Sequence, residues 1–448
     1  MVGSSHEQWS SRFGFLMAAI GFAVGLGNIW RFPYITGENG GGAFVTVYLL
    51  CAFLIGVPIL MAEILIGRRG RLSPPGSMRE VAAAGGRSPR WQLVGHMNLL
   101  TALIIEVTYC VVAGWVLLYL FKAIGGGFSD ATAETAAAAF SNVLTDVSGM
   151  LLWTLLGLAI TGSIIYTGVQ SGIERAVRVL MPTLFGLLVL LAVYNAYVGG
   201  FGETLAYLFT PDFSQVDGPM VLAAIGQAFF SIGVAMAGMM TFGAYLPKHI
   251  SIARSVGIII IADTLVALVA GLVIFPAVFH NGLNPDEGVG LIFQTLPVAF
   301  SQMPGGYFVA ILFFVLLSVA AITSMVGLVE PLVFWLEETR SYSRHRATLS
   351  VVGVVALGSI TSILTYNLWS GYRIFGVDLN GVFDYLSNQI LLPVGGVLIA
   401  LFVGWFVKRE LASEELALRS ERLFELWHML VRYVVPPAVL MIFVLGVT

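Results

Sequence analysis

The sequence predicts an all-α polytopic membrane protein with about eleven transmembrane helices. Three observations carry that expectation. First, 58% of the 448 residues are hydrophobic and only 10% are charged, and the mean hydropathy is +0.91. Soluble domains are about 45–50% apolar and about 25% charged, and surface-to-volume scaling leaves a water-soluble fold no way to hide this excess. Second, many runs exceed ~18 residues without a charge, the length a spanning helix requires. Third, the runs lack the sustained two-residue alternation of a membrane barrel. A soluble enzyme, a nucleic-acid binder and a disordered chain are therefore not expected. A net charge of −3 gives no electrostatic case for a polyanionic partner.

The apolar segments, in order, are 13–36, 42–67, 92–124, 150–168, 176–198, 218–246, 255–280, 305–336, 347–366, 383–407 and 427–446. The first carries Asn28 and Arg31 and no small-residue cleavage site, so it reads as a span and not as a cleavable signal peptide. The second runs into Arg68, Arg69, Arg71, Arg79, Arg87 and Arg90. Further basic clusters follow the fourth segment (Arg175, Arg178), the sixth (Lys248, Arg254), the eighth (Arg340, Arg344, Arg346) and the tenth (Lys408, Arg409, Arg419, Arg422). The alternate loops hold mainly acids, among them Asp130, Glu134, Asp146, Glu203, Asp212, Asp217, Asp286 and Glu287, with Arg373 the exception. Lysine and arginine collect on the cytoplasmic side. The N-terminus is therefore expected in the cytoplasm, and eleven spans put the C-terminus outside. Cys51 and Cys110 lie inside apolar runs, which indicates neither a disulfide framework nor a metal site.

Two segments read poorly as continuous helices. Gly21-Phe22-Ala23-Val24-Gly25-Leu26-Gly27-Asn28 places three glycines and an asparagine at mid-span. Phe230-Ser231-Ile232-Gly233-Val234-Ala235-Met236-Ala237-Gly238 is again small and weakly helical. One reading is close helix packing through small residues. The other is two broken helices in corresponding positions of an inverted repeat, segments 1–5 and 6–10, with a site where the breaks meet. Unwound backbone is tolerated in a membrane only where it lines a cavity.

Gly25-Leu26-Gly27-Asn28-Ile29-Trp30-Arg31-Phe32-Pro33-Tyr34, followed by Asn39-Gly40-Gly41-Gly42-Ala43-Phe44 and Pro58-Ile59-Leu60-Met61-Ala62-Glu63, resembles the signature of the neurotransmitter:sodium symporter family. So do Gly226-Gln227-Ala228-Phe229-Phe230-Ser231, the stretch Ala320 to Ser324, and Glu330-Pro331. The likeness runs from about Trp9 to the end of the tenth segment, and its short loops are similar to the bacterial eleven-helix amino-acid transporters. It implies inverted repeats with broken helices 1 and 6. The chain then divides into a cytoplasmic N-terminus (1–12), a first half (13–198), a second half (199–407), and a cytoplasmic connector with the eleventh helix (408–448).

The resemblance also implies sites. One sodium ion would take the carbonyls of Gly21, Val24 and Ala320 with the hydroxyls of Thr323 and Ser324. Read alone, that Thr-Ser pair has a plainer explanation, because both hydroxyls can bond back to their own helix. A second sodium would take the Ala23 carbonyl, Asn28, Ser231, Asp263 and the substrate carboxylate. A carboxyl inside a span needs a partner, and Asp263 either faces sodium or is a protonated structural group. Chloride-coupled relatives carry Asn at that position. Tyr48 and Gln227 match two further chloride positions, but the fixed charge of Asp263 implies no chloride requirement. Its protonation in the sodium-free return would allow proton antiport.

The substrate's carboxylate would meet the Leu26 and Gly27 amides and the Tyr109 hydroxyl, as anions do at a helix break. Gly25 stands where monoamine-transporting relatives carry Asp, so an amino acid is expected in place of a decarboxylated amine. The ammonium would meet carbonyls near Ala23, Phe230 and Ser231. The side-chain pocket would draw on Phe22, Ile105, Phe230, Gly233, Met236, Ser324, Met325 and Leu328. It is mostly apolar, which favours a hydrophobic amino acid. Phe22 and Met325 are bulkier than the family pattern, and Gly233, Ala235 and Ala237 also depart from it. Glu106, beside Ile105, either faces a polar or cationic substrate side chain or is a neutral carboxyl within the bundle.

The outer gate carries over as Arg31 with Asp384, lidded by Tyr109 and Phe230. Inner-gate matches are Trp9, Arg12, Tyr245 and Glu338, while His6 stands where Arg is usual. Gly172 and Pro182 frame a hinge with nine residues between them, either an ordinary proline kink or a half-helix able to unwind. The function so implied is sodium-coupled uptake of an L-amino acid by alternating access, with two sodium ions and a monomer sufficient. Its setting would be a prokaryotic inner membrane, and no enzyme activity is expected. The alternative is a sodium-independent exchanger of the same fold.

Overall fold

The computed structural model describes residues 7–280 and 290–447, all helical apart from turns and an isolated bridge between Ile374 and Val377. His6, Asp286 and Glu287 lie outside the described residues.

Among the described residues, nine helices are long and apolar enough to cross a membrane, and a bent pair makes a tenth span. The bent pair is segment 1, Arg12–Ala23 and Gly27–Glu38, turned by 47°. Segment 2 is Gly42–Gly70, segment 3 Pro89–Ile124, segment 4 Val147–Tyr166 and segment 5 Val169–Val198. Segment 6 is two short pieces, Gly218–Ile232 and Gly238–Ala244. Segments 7 to 11 are Ile252–His280, Gly306–Arg340, Arg344–Thr365, Leu379–Phe406 and Glu421–Met441. With the broken segment 6 included, these are the eleven segments expected from the sequence. The two broken helices head segments 1–5 and 6–10, as an inverted repeat requires.

Local chemistry accounts for the breaks. Ser11 caps segment 1 by accepting the Gly14 amide at 3.0 Å. The helix stops at Val24, whose backbone is extended (ψ 90°). In segment 6 the chain turns left-handed at Gly233 (φ 72°), Ala235 (φ 60°) and Ala237 (φ 64°). Glycine adopts that region freely, whereas alanine does so at a cost of about 1 kcal/mol. The cost is offset where Glu63 Oε1 accepts the freed Ala235 amide at 2.7 Å.

Enclosure differs sharply between helices. In segment 8, 83% of the most apolar stretch is buried, against 28% for segments 5 and 11. Segments 1, 6 and 8 therefore share the centre, while 5 and 11 face outward with apolar residues such as Val179 and Leu440 exposed. A large exposed apolar area is what a lipid-facing surface should show. Trp427 ties segment 11 to segment 2 through the Pro58 carbonyl at 3.2 Å. Buried Arg68 ties the end of segment 2 to Glu415 at 2.5 Å.

Candidate functional site

The two breaks meet. Asn28, just past the break in segment 1, donates its amide to Asp263 Oδ1 at 2.8 Å and to Ser231 Oγ at 3.1 Å. Ser231 donates to Asp263 Oδ2 at 2.7 Å. Tyr48 Oη lies 3.4 Å from that same carboxylate oxygen. Asn28, Ser231 and Asp263 are all essentially buried. A carboxylate, a hydroxyl and a side-chain amide thus converge from three helices. The carboxylate and the hydroxyl are hard oxygen donors of the kind a sodium ion requires, and the Asn28 amide carries a third such oxygen. The Asn28 amide orientation follows from its hydrogen-bond network, and a half-turn about its last bond presents oxygen to the same point.

Asp263 also occupies the position between Tyr48 and Ser231. Gln227 is engaged elsewhere, donating to the Gly27 carbonyl at 2.8 Å and accepting from Arg31 at 3.1 Å.

The second oxygen cluster lies between segments 1 and 8. Ser324 Oγ reaches the Phe22 carbonyl at 3.3 Å and the Gly21 carbonyl at 3.5 Å. Thr323 instead bonds back to Val319 at 2.9 Å and Ala320 at 3.1 Å. The plain back-bonding explanation thus describes Thr323 and not Ser324. Gly21 lets the helices touch, since a Cβ there would lie 3.2 Å from that of Thr323.

At the break itself the Leu26 amide donates to the Tyr109 hydroxyl at 3.2 Å. Gly25 faces Ser324 Oγ and Tyr109 Oη, so that any side chain there would have to displace them. Below this point a cavity of about 30 Å³ is lined by Phe22, Ala23, Gly25, Gly27, Ile105, Tyr109, Phe230, Gly233, Met236, Ser324 and Leu328. Above it, a cavity of about 240 Å³ continues past Leu26 and Trp30 to Arg31, Asp384 and Asn388. Gly27, Ile105, Tyr109 and Phe230 border both. The Arg31 guanidinium sits 4.7 Å from the Phe230 ring centre. Asp384 accepts from Asn388 at 2.6 Å, and no ion pair joins it to Arg31 among the described residues.

Three expected positions fall elsewhere. Glu106 lines neither cavity. One residue beyond Ile105, it is rotated about 100° around the helix, away from the pocket face. Both its oxygens are buried without a hydrogen-bond partner. Met325, one residue beyond Ser324, turns toward segment 4, where Thr161 points at its sulfur from 3.8 Å. Glu338 accepts the Ser73 amide at 2.5 Å, apart from Trp9 and Tyr245.

The face carrying the basic loops is closed by other groups. Trp9 donates its indole N–H to the Phe242 carbonyl at 3.0 Å and its backbone amide to the Tyr245 carbonyl at 3.1 Å. Tyr245 donates to Glu330 at 2.7 Å. Arg344 pairs with both oxygens of Glu330 and with Glu337 at 3.1 Å. Glu174 gathers Ser10, Ser11 and Arg178, with the Ser10 amide at 2.8 Å. Arg12 is exposed. Glu330 could have been found from sequence as a lone carboxylate inside an apolar helix, which demands a cation. Arg344 carried no such signal, since it reads as one more loop charge. At the hinge, segment 5 is wound throughout, with a π-helical turn at Val169–Glu174. Gly172 packs so tightly on the end of segment 4 that a Cβ would strike the Ile164 carbonyl.

These features agree with what the chain is similar to. The model of the sodium:neurotransmitter symporter family matches residues 6–139 and 133–448. The sodium-dependent transporter YhdH of Bacillus subtilis is 34% identical over 97% of this chain and 96% of its own length. A sodium-dependent transporter of Haemophilus influenzae is 34% identical over 98% and 97%. The crystal structure of MhsT in complex with L-phenylalanine superposes with a TM-score of 0.91 at 40% identity, covering 98% of this chain and 99% of that one. The chain is a multi-pass membrane protein and belongs to the sodium:neurotransmitter symporter family.

Proposed function

We propose that this chain is a symporter that couples inward sodium flow to uptake of a neutral L-amino acid across a prokaryotic inner membrane. The observation that carries the reading is the meeting of both helix breaks at Asp263, Asn28 and Ser231, directly beside the backbone of Leu26 and Gly27, which lines the cavity. Asp263, Asn28, Ser231 and the Ala23 carbonyl would hold one sodium ion. Gly21, Val24, Ala320, Thr323 and Ser324 would hold another. The substrate's carboxylate would sit at the Leu26 and Gly27 amides and Tyr109, completing the first sodium's ligands, so that ion and substrate favour each other's binding. The L-phenylalanine held by MhsT supports an amino acid as cargo.

Chloride independence follows from Asp263, whose carboxylate stands against Tyr48 and Ser231 and supplies the negative charge there. The positive-inside pattern puts the Trp9–Glu330 face in the cytoplasm and the Arg31–Asp384 cavity outside. One chain encloses every group named, so a monomer suffices. The halves 13–198 and 199–407 would rock about the site, with Arg31 and Asp384 closing above the substrate, and Gly172 and Pro182 loosening segment 5 below.

The test is uptake into proteoliposomes under an imposed sodium gradient, competed by each of the twenty amino acids, with chloride replaced by gluconate. Accumulation that follows the sodium gradient and ignores chloride is expected. Equal uptake without sodium refutes the coupling and leaves an exchanger, and strict chloride dependence refutes the role given to Asp263.

A further inference from the structure

The lower pocket is small because the protein fills it with its own ring. Phe22 is 5% exposed. A Cβ at Gly233 would stand 2.8 Å from its ring, and at Gly238 and Gly327 closer still. Three glycines from segments 6 and 8 thus form a cradle that the Phe22 ring fills, and Gly233 (φ 72°) is in the left-handed region that disfavours a side chain. Phe242 backs the ring edge-on at 6.0 Å between centres. What remains between Phe22, Ile105, Met236 and Leu328 is about 30 Å³. One enclosed water needs ~10–15 Å³, so this is room for about two atoms of a side chain. The carboxylate end, facing Leu26 and Gly27, opens instead on the 240 Å³ cavity.

We infer that Phe22, seated in the Gly233–Gly238–Gly327 cradle, is a size filter, and that the substrate is a small neutral amino acid of the alanine or serine class. The inference rests on the amino-acid reading above and narrows it. Each methylene too many for a tight apolar pocket costs about 10–200-fold in discrimination. Leucine, phenylalanine and tryptophan could enter only by displacing the ring from the cradle that it fills.

The test is competition, by unlabelled amino acids, for sodium-dependent binding of radiolabelled alanine to the purified full chain. Thermal shift with each amino acid serves as a readout independent of any label. Alanine or serine is expected to compete at least about tenfold better than phenylalanine. Phe22→Leu, which keeps an apolar residue in the cradle, should shrink that ratio by about tenfold by admitting larger side chains. Phe22→Ala should shrink it further, and Phe22→Leu alone decides the matter if that variant does not fold. Leucine or an aromatic amino acid competing as well as alanine overturns the size filter while leaving symport intact. So does a ratio that Phe22→Leu does not move. No thermal shift with any amino acid refutes the amino-acid reading itself, and the size filter with it.

Discussion

Asp263 brings the most charge to the site, and its neighbours dictate what its loss should do. Its two oxygens take Asn28 at 2.8 Å and Ser231 at 2.7 Å, with Tyr48 at 3.4 Å. Asp263→Asn keeps shape and hydrogen-bonding capacity but removes the only formal negative charge at that cluster. Half-saturation for sodium should rise at least about tenfold, equivalent to ~1.4 kcal/mol. Uptake should become chloride-dependent, because an external anion can then replace the lost charge beside Tyr48. Uptake measured in chloride and in gluconate checks this, and equal rates in both would count against it. Glu106 makes the opposite case. It lies off the pocket face with both oxygens unpartnered, so Glu106→Gln should leave the ranking of competing amino acids unchanged to within about twofold. A reordered ranking would show that it reaches the substrate. These residues also show what the sequence could carry. The family resemblance named Asn28, Ser231 and Asp263 as one site, and the fold brings them to one point, whereas Glu106 and Met325 are displaced by a single helical step, which depends on the rotation of the whole helix. Phe22 stood out by size, but its consequence depended on glycines about 210 and 300 positions away in the chain, which only folding juxtaposes.

The breaks in segments 1 and 6 differ in how plainly they were written. Segment 1 announces its break with Gly21, Gly25 and Gly27, while segment 6 uses Ala235 and Ala237 at positive φ. Gly233 marks one left-handed position in that stretch, but nothing marks the two alanines as left-handed. Glu63 supplies the missing compensation at 2.7 Å, from a different helix. Ala237→Gly should therefore stabilise the folded protein by about 1 kcal/mol, removing left-handed strain without removing a contact that defines the pocket. Gly233→Ala should do the reverse by a similar amount or more, since its Cβ adds a 2.8 Å clash with Phe22 to the strain. Thermal unfolding in detergent measures both, and an Ala237→Gly variant no more stable than the parent would show that the turn is not strained.

At the scale of the whole molecule, the two faces are held by different chemistry. On one, Arg31 and Asp384 line the same cavity without pairing, and about 240 Å³ stays open between them. On the other, Arg344 clamps Glu330 within the bundle, with Glu330 fully buried and Arg344 at 16% side-chain exposure. Tyr245 and the Trp9 strap complete that closure. Removing one partner of a buried ion pair costs about 3–5 kcal/mol because it strands the other charge. That penalty falls on the state in which the pair is formed, so Glu330→Gln should shift the population toward opening of the basic face. A cysteine placed at Ala19, fully buried on segment 1, reports this directly once Cys51 and Cys110, both free thiols, are replaced by alanine. A membrane-impermeant thiol reagent applied from the basic face should label it at least about tenfold faster in Glu330→Gln, since ~1.4 kcal/mol of the penalty already yields that factor. Sodium should slow the labelling, because Ser324 Oγ and the Gly21 and Phe22 carbonyls approach one another across segments 1 and 8 in the closed arrangement. An ion bound there would hold segment 1 against segment 8 from within, as the clamp holds that face from outside. If Glu330→Gln labels no faster than the parent, the clamp does not set the closure; if sodium leaves both rates untouched, the ion site and the gate are not coupled.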